Sequence, residues 1–192
     1  MTYLRLKPEH HVEHPRFQDI QRDYGFVPNF YRAQTMNPAL LEAQIGWVFA
    51  LLVQEGALNR KQKEYIFLVS SAANLSTYCV TAHCEIIRML GITGPEPEDL
   101  AVNHRDSDLP EAEKDLLDFC RKLTLKQGEV VEKDVEKLRA AGWTEPQILE
   151  AVQMVGLAKW ANCVAFGLGT MPDFENPRID FPGGVKRTPA AR

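Results

Sequence analysis

Signals that begin and end α-helices recur along this 192-residue chain, and they constrain its fold more than any other feature. Asn37-Pro38 places a capping side chain ahead of a proline at the first helical position. Asn59 and Thr144 precede two further apolar segments, and Gln147 completes a capping box in the second. Alternating patterns typical of strands are almost absent. The sequence therefore predicts an all-α fold of helix packed on helix, with no sheet.

The helical segments are spread along the chain, and we expect one domain over residues 1–192. The helix pairs of the first and second halves are weakly alike, which predicts two weakly similar helical halves. Residues 95–109 predict a connector with one helical turn. We expect residues 1–14 to form a flexible segment, and residues 170–192, rich in proline and glycine, to form an extended arm.

Charge and cysteine usage restrict the partners and the compartment. The formal net charge of -4 gives no general attraction for nucleic acid or an anionic membrane. The amino terminus has no signal-peptide pattern and no uncharged apolar run reaches the ~18 residues of a membrane span, so we expect a cytoplasmic protein. Four cysteines without repeated spacing do not resemble a secreted disulfide framework. Thiol chemistry or ordinary packing remains for them, with small molecules or proteins as partners.

A cysteine and a histidine four residues apart, Cys79 and His83, share one face of a predicted helix. The first turn of a helix can lower the pKa of a thiol, because unpaired N–H groups and the positive end of the helix dipole lie beside the sulfur. If Ser76 or Thr77 caps this helix, Cys79 occupies that turn, and His83 can accept or relay its proton. An inert core cysteine beside a structural histidine is the alternative.

Glu64 lies on the preceding predicted helix among apolar residues, where an inward-facing carboxylate needs a partner. His83 is one candidate, and with Cys79 the three would form a carboxylate–imidazole–thiol relay. Arg60 or Lys61 is the other candidate, which would leave Glu64 in an ordinary pair on the helix surface. The sequence leaves both pairings open.

Glu64, Ser76, Cys79 and His83 stand at the spacing E-x(11)-C-x-x-C-x-x-x-H, except that serine replaces the first cysteine. In this motif the chain resembles the carboxymuconolactone decarboxylase/AhpD superfamily, in its branch of peroxidase-related proteins. The resemblance covers about residues 15–175. It rests also on these runs: residues 25–29 (GFVPN), 70–74 (SSAAN), 78–79 (YC) and 138–142 (LRAAG).

The resemblance implies an AhpD-like helical fold and thiol-dependent reduction of hydroperoxides. Cys79 matches the peroxide-reducing nucleophile, His83 and Glu64 match its proton relay, and Ser76 and Tyr78 are adjacent to the site. It implies a small hydroperoxide substrate and an external thiol reductant, with neither cofactor nor metal. It also implies a homo-oligomer, a dimer, trimer or hexamer, in which the carboxy-terminal arm could reach a neighbouring subunit.

The serine at position 76 removes the nearest disulfide partner of Cys79. Cys84 is five residues further along the helix, about 8–9 Å away and directed elsewhere by helical geometry. We expect Cys120 and Cys163 in the core, although either could approach Cys79. A sulfenic acid at Cys79 would then be reduced by an external thiol, by one of these cysteines or by a cysteine of another subunit.

Other functions stay open. A lyase resembling carboxymuconolactone decarboxylase would use His83 and Glu64 as acid and base on a carboxylated lactone, without needing Cys79. A metal held by the same three residues would lack a ligand for tetrahedral coordination. Because Ser76 replaces the first cysteine of the motif, a helical oligomer without catalytic activity also remains an alternative. A second loose cluster of possible metal ligands lies near the amino terminus: His10, His11 and His14.

Overall fold

The computed structural model of the protein describes residues 2–5 and 13–174, and every regular element in that part of the chain is helical. The all-α prediction is therefore confirmed for these residues. The α-helices are α1 (Phe17–Tyr24), α2 (Asn29–Arg32), α3 (Pro38–Val48), α4 (Arg60–Ala73), α5 (Thr77–Met89), α6 (Pro97–Asn103), α7 (Glu111–Leu125), α8 (Glu132–Ala140) and α9 (Glu145–Leu168). A π-helical turn, Phe49–Val53, continues α3, and short 3-10 turns, His104–Asp106 and Gln127–Glu129, follow α6 and α7.

The capping residues act as the sequence predicts. Asn37 Oδ1 accepts the backbone N–H three residues on at 3.1 Å, at the start of α3. Asn59 and Gln62 form a reciprocal capping box on α4, with bonds of 2.9 and 3.1 Å between side chains and backbone. The N–H of Thr144 donates to Gln147 Oε1 at 3.0 Å and opens α9. These local bonds determine where α3, α4 and α9 begin.

The segment after α5 holds more helix than expected. Instead of a single turn, α6 extends over Pro97–Asn103 and is followed by a 3-10 turn. Pro97 is pre-organised for the first helical turn, and Glu98 and Asp99 there interact favourably with the helix dipole. Leu100 is completely buried and anchors the helix to the core. The one-turn prediction is wrong because acidic residues and proline, interpreted as loop signals, occupy the positions that favour helix initiation.

Helices α4 and α9 form the most extensive helix contact and run side by side in the same direction. Near their starts, the N–H of Leu58 donates to Glu150 Oε2 at 2.7 Å. Near the end of α4, Asn74 Nδ2 donates to Asn162 Oδ1 at 2.8 Å. Helix α5 packs against both. Side chains of α5 are thereby held between α4 and α9.

Helix α9 is long and apolar enough, by length and composition, to cross a membrane. Core helices of soluble proteins have the same composition, and Ala151, Met154 and Leu157 of α9 are completely buried against the rest of the chain. One face of α9 therefore packs in the core of the fold.

A tight turn joins α4 to α5. Leu75 adopts φ +57°, in the left-handed region that residues with a side chain rarely enter. The N–H of Ser76 closes the turn on the carbonyl of Ser71 at 2.9 Å. Helix α5 therefore begins at Thr77 with Ser76 as its N-cap, and Cys79 lies in the first turn as predicted.

Both described ends of the chain contact the helical body. Near the amino terminus, the hydroxyl of Thr2 donates to the carbonyl of Leu168 at 2.5 Å. His14 is buried, with its Nε2 3.6 Å from a carboxylate oxygen of Glu42. The predictions for residues 6–12, including His10 and His11, and for residues 175–192 of the arm lie outside the described residues.

Candidate active site

Glu64 contacts two partners, Arg60 and His83, rather than one. Its carboxylate is 0% exposed, and Arg60 Nε donates to Oε1 at 2.7 Å. His83 Nδ1 lies 2.6 Å from Oε2. Burial by itself raises the pKa of Glu64, but the charge and hydrogen bond of His83, and then those of Arg60, bring the pKa below its ordinary value. The two pairings that the sequence left open are both present.

The contact with Glu64 determines which nitrogen of His83 carries a proton. Because the carboxylate is ionised, Nδ1 donates to it, and Nε2 is the ring atom left for other chemistry. The imidazole also stacks on Phe67, with ring centroids 3.8 Å apart and planes 22° apart. Phe67 lies one turn after Glu64 on α4, so one helix orients the imidazole through both its edge and its face.

The sulfur of Cys79 lies deeper than the sequence suggested. The residue is 3% exposed, and burial raises the pKa of its thiol, although hydrogen bonds from Ser76 and Asn162 oppose the rise. The expected lowered pKa is wrong for this geometry, because desolvation outweighs the favourable position in the first turn of α5. No direct hydrogen bond joins the sulfur to His83 among the described residues, so a proton transfer between them would require a bridging water or substrate.

Cys79 and His83 face a common pocket of about 600 Å³, including the solvent at its mouth. Its lining is mostly apolar and aromatic, and none of the described residues that form it is a lysine or an arginine. The π-helical turn after α3 supplies Leu52 to this wall. The lining residues are Tyr24, Pro28, Phe30, Tyr31, Val48, Leu52, Phe67, Tyr78, Cys79, Ala82, His83, Ile86, Leu157, Trp160 and Ala161.

Tyr78 ties the pocket to the segment that follows α9. Its hydroxyl donates to Asp173 Oδ2 at 2.5 Å and accepts the N–H of Phe30 at 3.0 Å. The other oxygen of Asp173 accepts the N–H of Asn29 at 2.7 Å. Burial, with the adjacent carboxylate, raises the pKa of Tyr78, which keeps the phenol protonated as a donor. Sequence reasoning missed Asp173 because it lies 95 residues from Tyr78, with no motif around it.

The other three cysteines lie apart from the pocket lining, and all four are free thiols. Cys84 is buried, and its surroundings raise its pKa to about 12, chiefly through desolvation. Cys120 lies in the core as expected, and burial raises its pKa as well. The expectation of a core position is wrong for Cys163, which is exposed on α9. The structure therefore brings none of the three to the wall beside Cys79.

The metal alternatives gain no support. Among the described residues there is no group of three or more histidine, cysteine, aspartate or glutamate side chains placed to hold a metal ion. His14 belongs to a contact with Glu42 and Arg16 at the start of α1.

The profile of the carboxymuconolactone decarboxylase family matches residues 38–103. An uncharacterized peroxidase-related protein from Ralstonia eutropha JMP134, described as an alkylhydroperoxidase AhpD core, is 31% identical, with 83% of this chain and 84% of that chain covered and a TM-score of 0.77. A second peroxidase-related protein, from Silicibacter sp. TM1040, is 28% identical over 90% and 96% of the chains, with a TM-score of 0.78. A debrominase solved in complex with 2,3,4-tribromopyrrole shares the fold at 19% identity, over 90% and 91% of the chains, with a TM-score of 0.74. No curated protein matches the chain.

Proposed function

This chain belongs to the carboxymuconolactone decarboxylase family, with the AhpD-like fold of its peroxidase-related proteins, and from that we propose that it reduces hydroperoxides with Cys79 as the nucleophile. The observation that carries the proposal is the 2.6 Å bond between Glu64 and His83, which leaves Nε2 of the imidazole available in the pocket that Cys79 lines. Perturbed titratable groups gathered at a pocket are typical of catalytic sites.

The raised pKa of Cys79 makes His83 a general base in this mechanism. Nε2 takes the thiol proton through a bridging water as the sulfur attacks the terminal oxygen of the hydroperoxide. The O–O bond breaks and its electron pair leaves with the alkoxide. The imidazolium then gives its proton to that alkoxide, so one thiol and one hydroperoxide become one sulfenic acid and one alcohol. Glu64 stabilises the transient imidazolium throughout.

Regeneration of Cys79 is assigned to an external thiol. A first thiol condenses with the sulfenic acid, releases water and forms a mixed disulfide, and a second thiol releases Cys79 and leaves as a disulfide. Serine at position 76 cannot form the internal disulfide that a cysteine there would allow, and no other cysteine lines the pocket.

The lyase alternative is less well supported. A carboxylated lactone would need a cationic partner, and the lining includes neither lysine nor arginine in the part of the chain that the structure describes. Arg60 is already engaged with Glu64 and with the hydroxyl of Tyr24. An apolar, uncharged pocket fits the organic part of a neutral hydroperoxide better than a carboxylate.

We also propose that the protein forms a homo-oligomer and is cytoplasmic. Apolar side chains exposed on α9, among them Leu149, Val152 and Phe166, support an oligomer because such a face is ordinarily covered.

The test is turnover by the reduced protein. With an organic hydroperoxide and an excess of a small thiol, we expect many moles of alcohol per mole of protein, and one disulfide for each alcohol, measured by chromatography. Alcohol formation no faster than that of the thiol alone would contradict the proposal.

A further inference from the structure

Residues 171–174, which we call the strap, follow α9 without regular structure and contact the start of α2 and the residues before it. Asn29 Nδ2 donates to the carbonyl of Met171 at 3.2 Å. The rings of Phe26 and Phe174 meet edge to face, with their centroids 5.3 Å apart. These contacts attach the strap to one segment of the chain from both of its ends.

Asp173 closes a ring of hydrogen bonds between three parts of the chain that are distant in sequence. Its Oδ2 accepts the hydroxyl proton of Tyr78 at 2.5 Å, and its Oδ1 accepts the N–H of Asn29 at 2.7 Å. The Tyr78 oxygen accepts the N–H of Phe30, the residue after Asn29, at 3.0 Å. Because both carboxylate oxygens and both roles of the hydroxyl are engaged, the ring fixes where the Tyr78 side chain lies.

Tyr78 and Phe30 carry this constraint into the pocket, because both line it. Their rings stack with centroids 6.4 Å apart and planes 23° apart. Phe30 also meets Trp160, a third lining residue, edge to face at 5.6 Å. These three residues form an aromatic wall of the pocket, and Tyr78 directly precedes Cys79 in α5. Asp173 is not itself a lining residue, so it acts on the pocket through this wall.

The sulfur of Cys79 can be reached only between the side chains that line the pocket, since the residue is 3% exposed. We propose that Asp173 determines which reactants pass, by holding Tyr78 and Phe30 in a fixed wall that admits small molecules and excludes bulky ones. An aromatic ring freed from its bond can turn about its side-chain torsions, which opens space for a bulky group. For hydroperoxides this selects small alkyl groups over aryl groups, a part that rests on the proposed function. The access of other reagents to the sulfur does not depend on it.

Alkylation of Cys79 by two maleimides of different size tests the proposal without any hydroperoxide. The rates with N-methylmaleimide and N-phenylmaleimide are measured by mass spectrometry, each divided by the rate at the exposed Cys163 in the same sample. In Asp173→Ala we expect the phenyl-to-methyl ratio at Cys79 to rise about ten-fold, the size of effect expected for one lost hydrogen bond. Tyr78→Phe breaks the same ring of bonds and keeps the aromatic side chain, so it should raise the ratio by a similar factor.

Two further variants separate positioning from a general loss of structure. Asp173→Asn can accept the N–H of Asn29 and donate to the Tyr78 oxygen, so it should restore a ratio near that of the wild type. Asp173→Ala combined with Tyr78→Phe should raise the ratio no further than either change alone, because both changes break one ring of bonds.

The chain also supplies two controls. Cys120 is completely buried on α7 and does not line the pocket, so it reacts only when the fold opens. Asp134→Ala is the matched variant, since Asp134 also accepts a backbone N–H, that of Val131 at 2.8 Å, and a side-chain donor, Lys122 Nζ, at 2.6 Å, away from the pocket. It should leave the ratio at Cys79 unchanged.

A ratio that is unchanged in Asp173→Ala and Tyr78→Phe, or that rises only together with modification of Cys120, would overturn the role of Asp173 in access. A raised ratio in a protein that consumes no hydroperoxide would support that role and refute the peroxidase. In an active enzyme, Asp173→Ala should raise kcat/KM for cumene hydroperoxide relative to tert-butyl hydroperoxide about ten-fold, through a lower KM for the aryl substrate. An active enzyme in which neither ratio changes would overturn the role of Asp173 and leave the peroxidase intact.

Discussion

Replacement of Cys79 by alanine is expected to abolish hydroperoxide consumption, leaving only the rate of the external thiol alone. No other cysteine lines the pocket, and burial keeps the thiols of Cys84 and Cys120 protonated. Loss of a nucleophile typically costs at least about 1,000-fold in rate. The measurement is the rate of alcohol formation at saturating thiol, with the thermal unfolding of both proteins recorded beside it.

Cys163→Ala is the control for this variant. Cys163 is exposed on α9, outside the pocket, where oxidants in the solvent have access to its thiol. Its replacement should leave turnover unchanged. If the Cys79 variant retained wild-type turnover and the Cys163 variant lost it, the activity would belong to a surface thiol and the pocket mechanism would be wrong.

Glu64→Gln should impair both catalysis and stability while keeping the shape of the side chain. The amide cannot balance the charge of Arg60 or of a protonated His83, and either of its groups can face Nδ1 of the imidazole. We expect the rate to fall about 100- to 10,000-fold, the range that general acid–base catalysis contributes. We expect the free energy of unfolding, from urea titration, to fall by about 3 kcal/mol, because a partly buried guanidinium loses its partner.

The pH dependence of stability has a definite sign at this residue. The pKa of Glu64 is lower in the folded protein than in the unfolded chain, because of His83 and Arg60 acting against burial. Its stabilising contribution is therefore present above the unfolded pKa of about 4.3 and is lost as pH falls through the folded value. This acid-sensitive component should be absent from Glu64→Gln.

Glu42→Gln is a suitable comparison, since Glu42 pairs with Arg16 but is 50% exposed. It should change the free energy of unfolding by no more than about 0.5 kcal/mol. Equal effects of the two glutamine substitutions would mean that Glu64 is no more than a surface ion-pair residue.

Local signals account for what the sequence predicted correctly. The capping side chains of Asn37, Asn59 and Thr144 act on N–H groups within a few residues, so their effect can be read without tertiary information. The shared helix face of Cys79 and His83 likewise follows from their spacing. The pairing of Glu64 with His83 needed two helices to pack, so the residues alone gave it as one of two candidates, and the family resemblance favoured it.

Tertiary burial accounts for most of what was missed. The pKa of Cys79 depends on helices that enclose it, and the sequence shows only its favourable place in α5. Asn162, which opposes the rise in the pKa of Cys79, lies on a helix in the other half of the chain, where an asparagine among apolar residues carries no positional signal. Asp173 lies in a segment interpreted as an arm, yet it bonds to Tyr78 and Asn29 of its own chain.

Direct trapping of a sulfenic acid tests the central claim, oxidation of Cys79 by a hydroperoxide. The reduced protein is treated with one equivalent of an organic hydroperoxide in the absence of thiol, captured with a sulfenic-acid-specific reagent and mapped by mass spectrometry. The account predicts one adduct, at Cys79, formed faster than any at the exposed Cys163 and strongly reduced in Glu64→Gln. An unmodified Cys79, with adducts confined to Cys163, would contradict it.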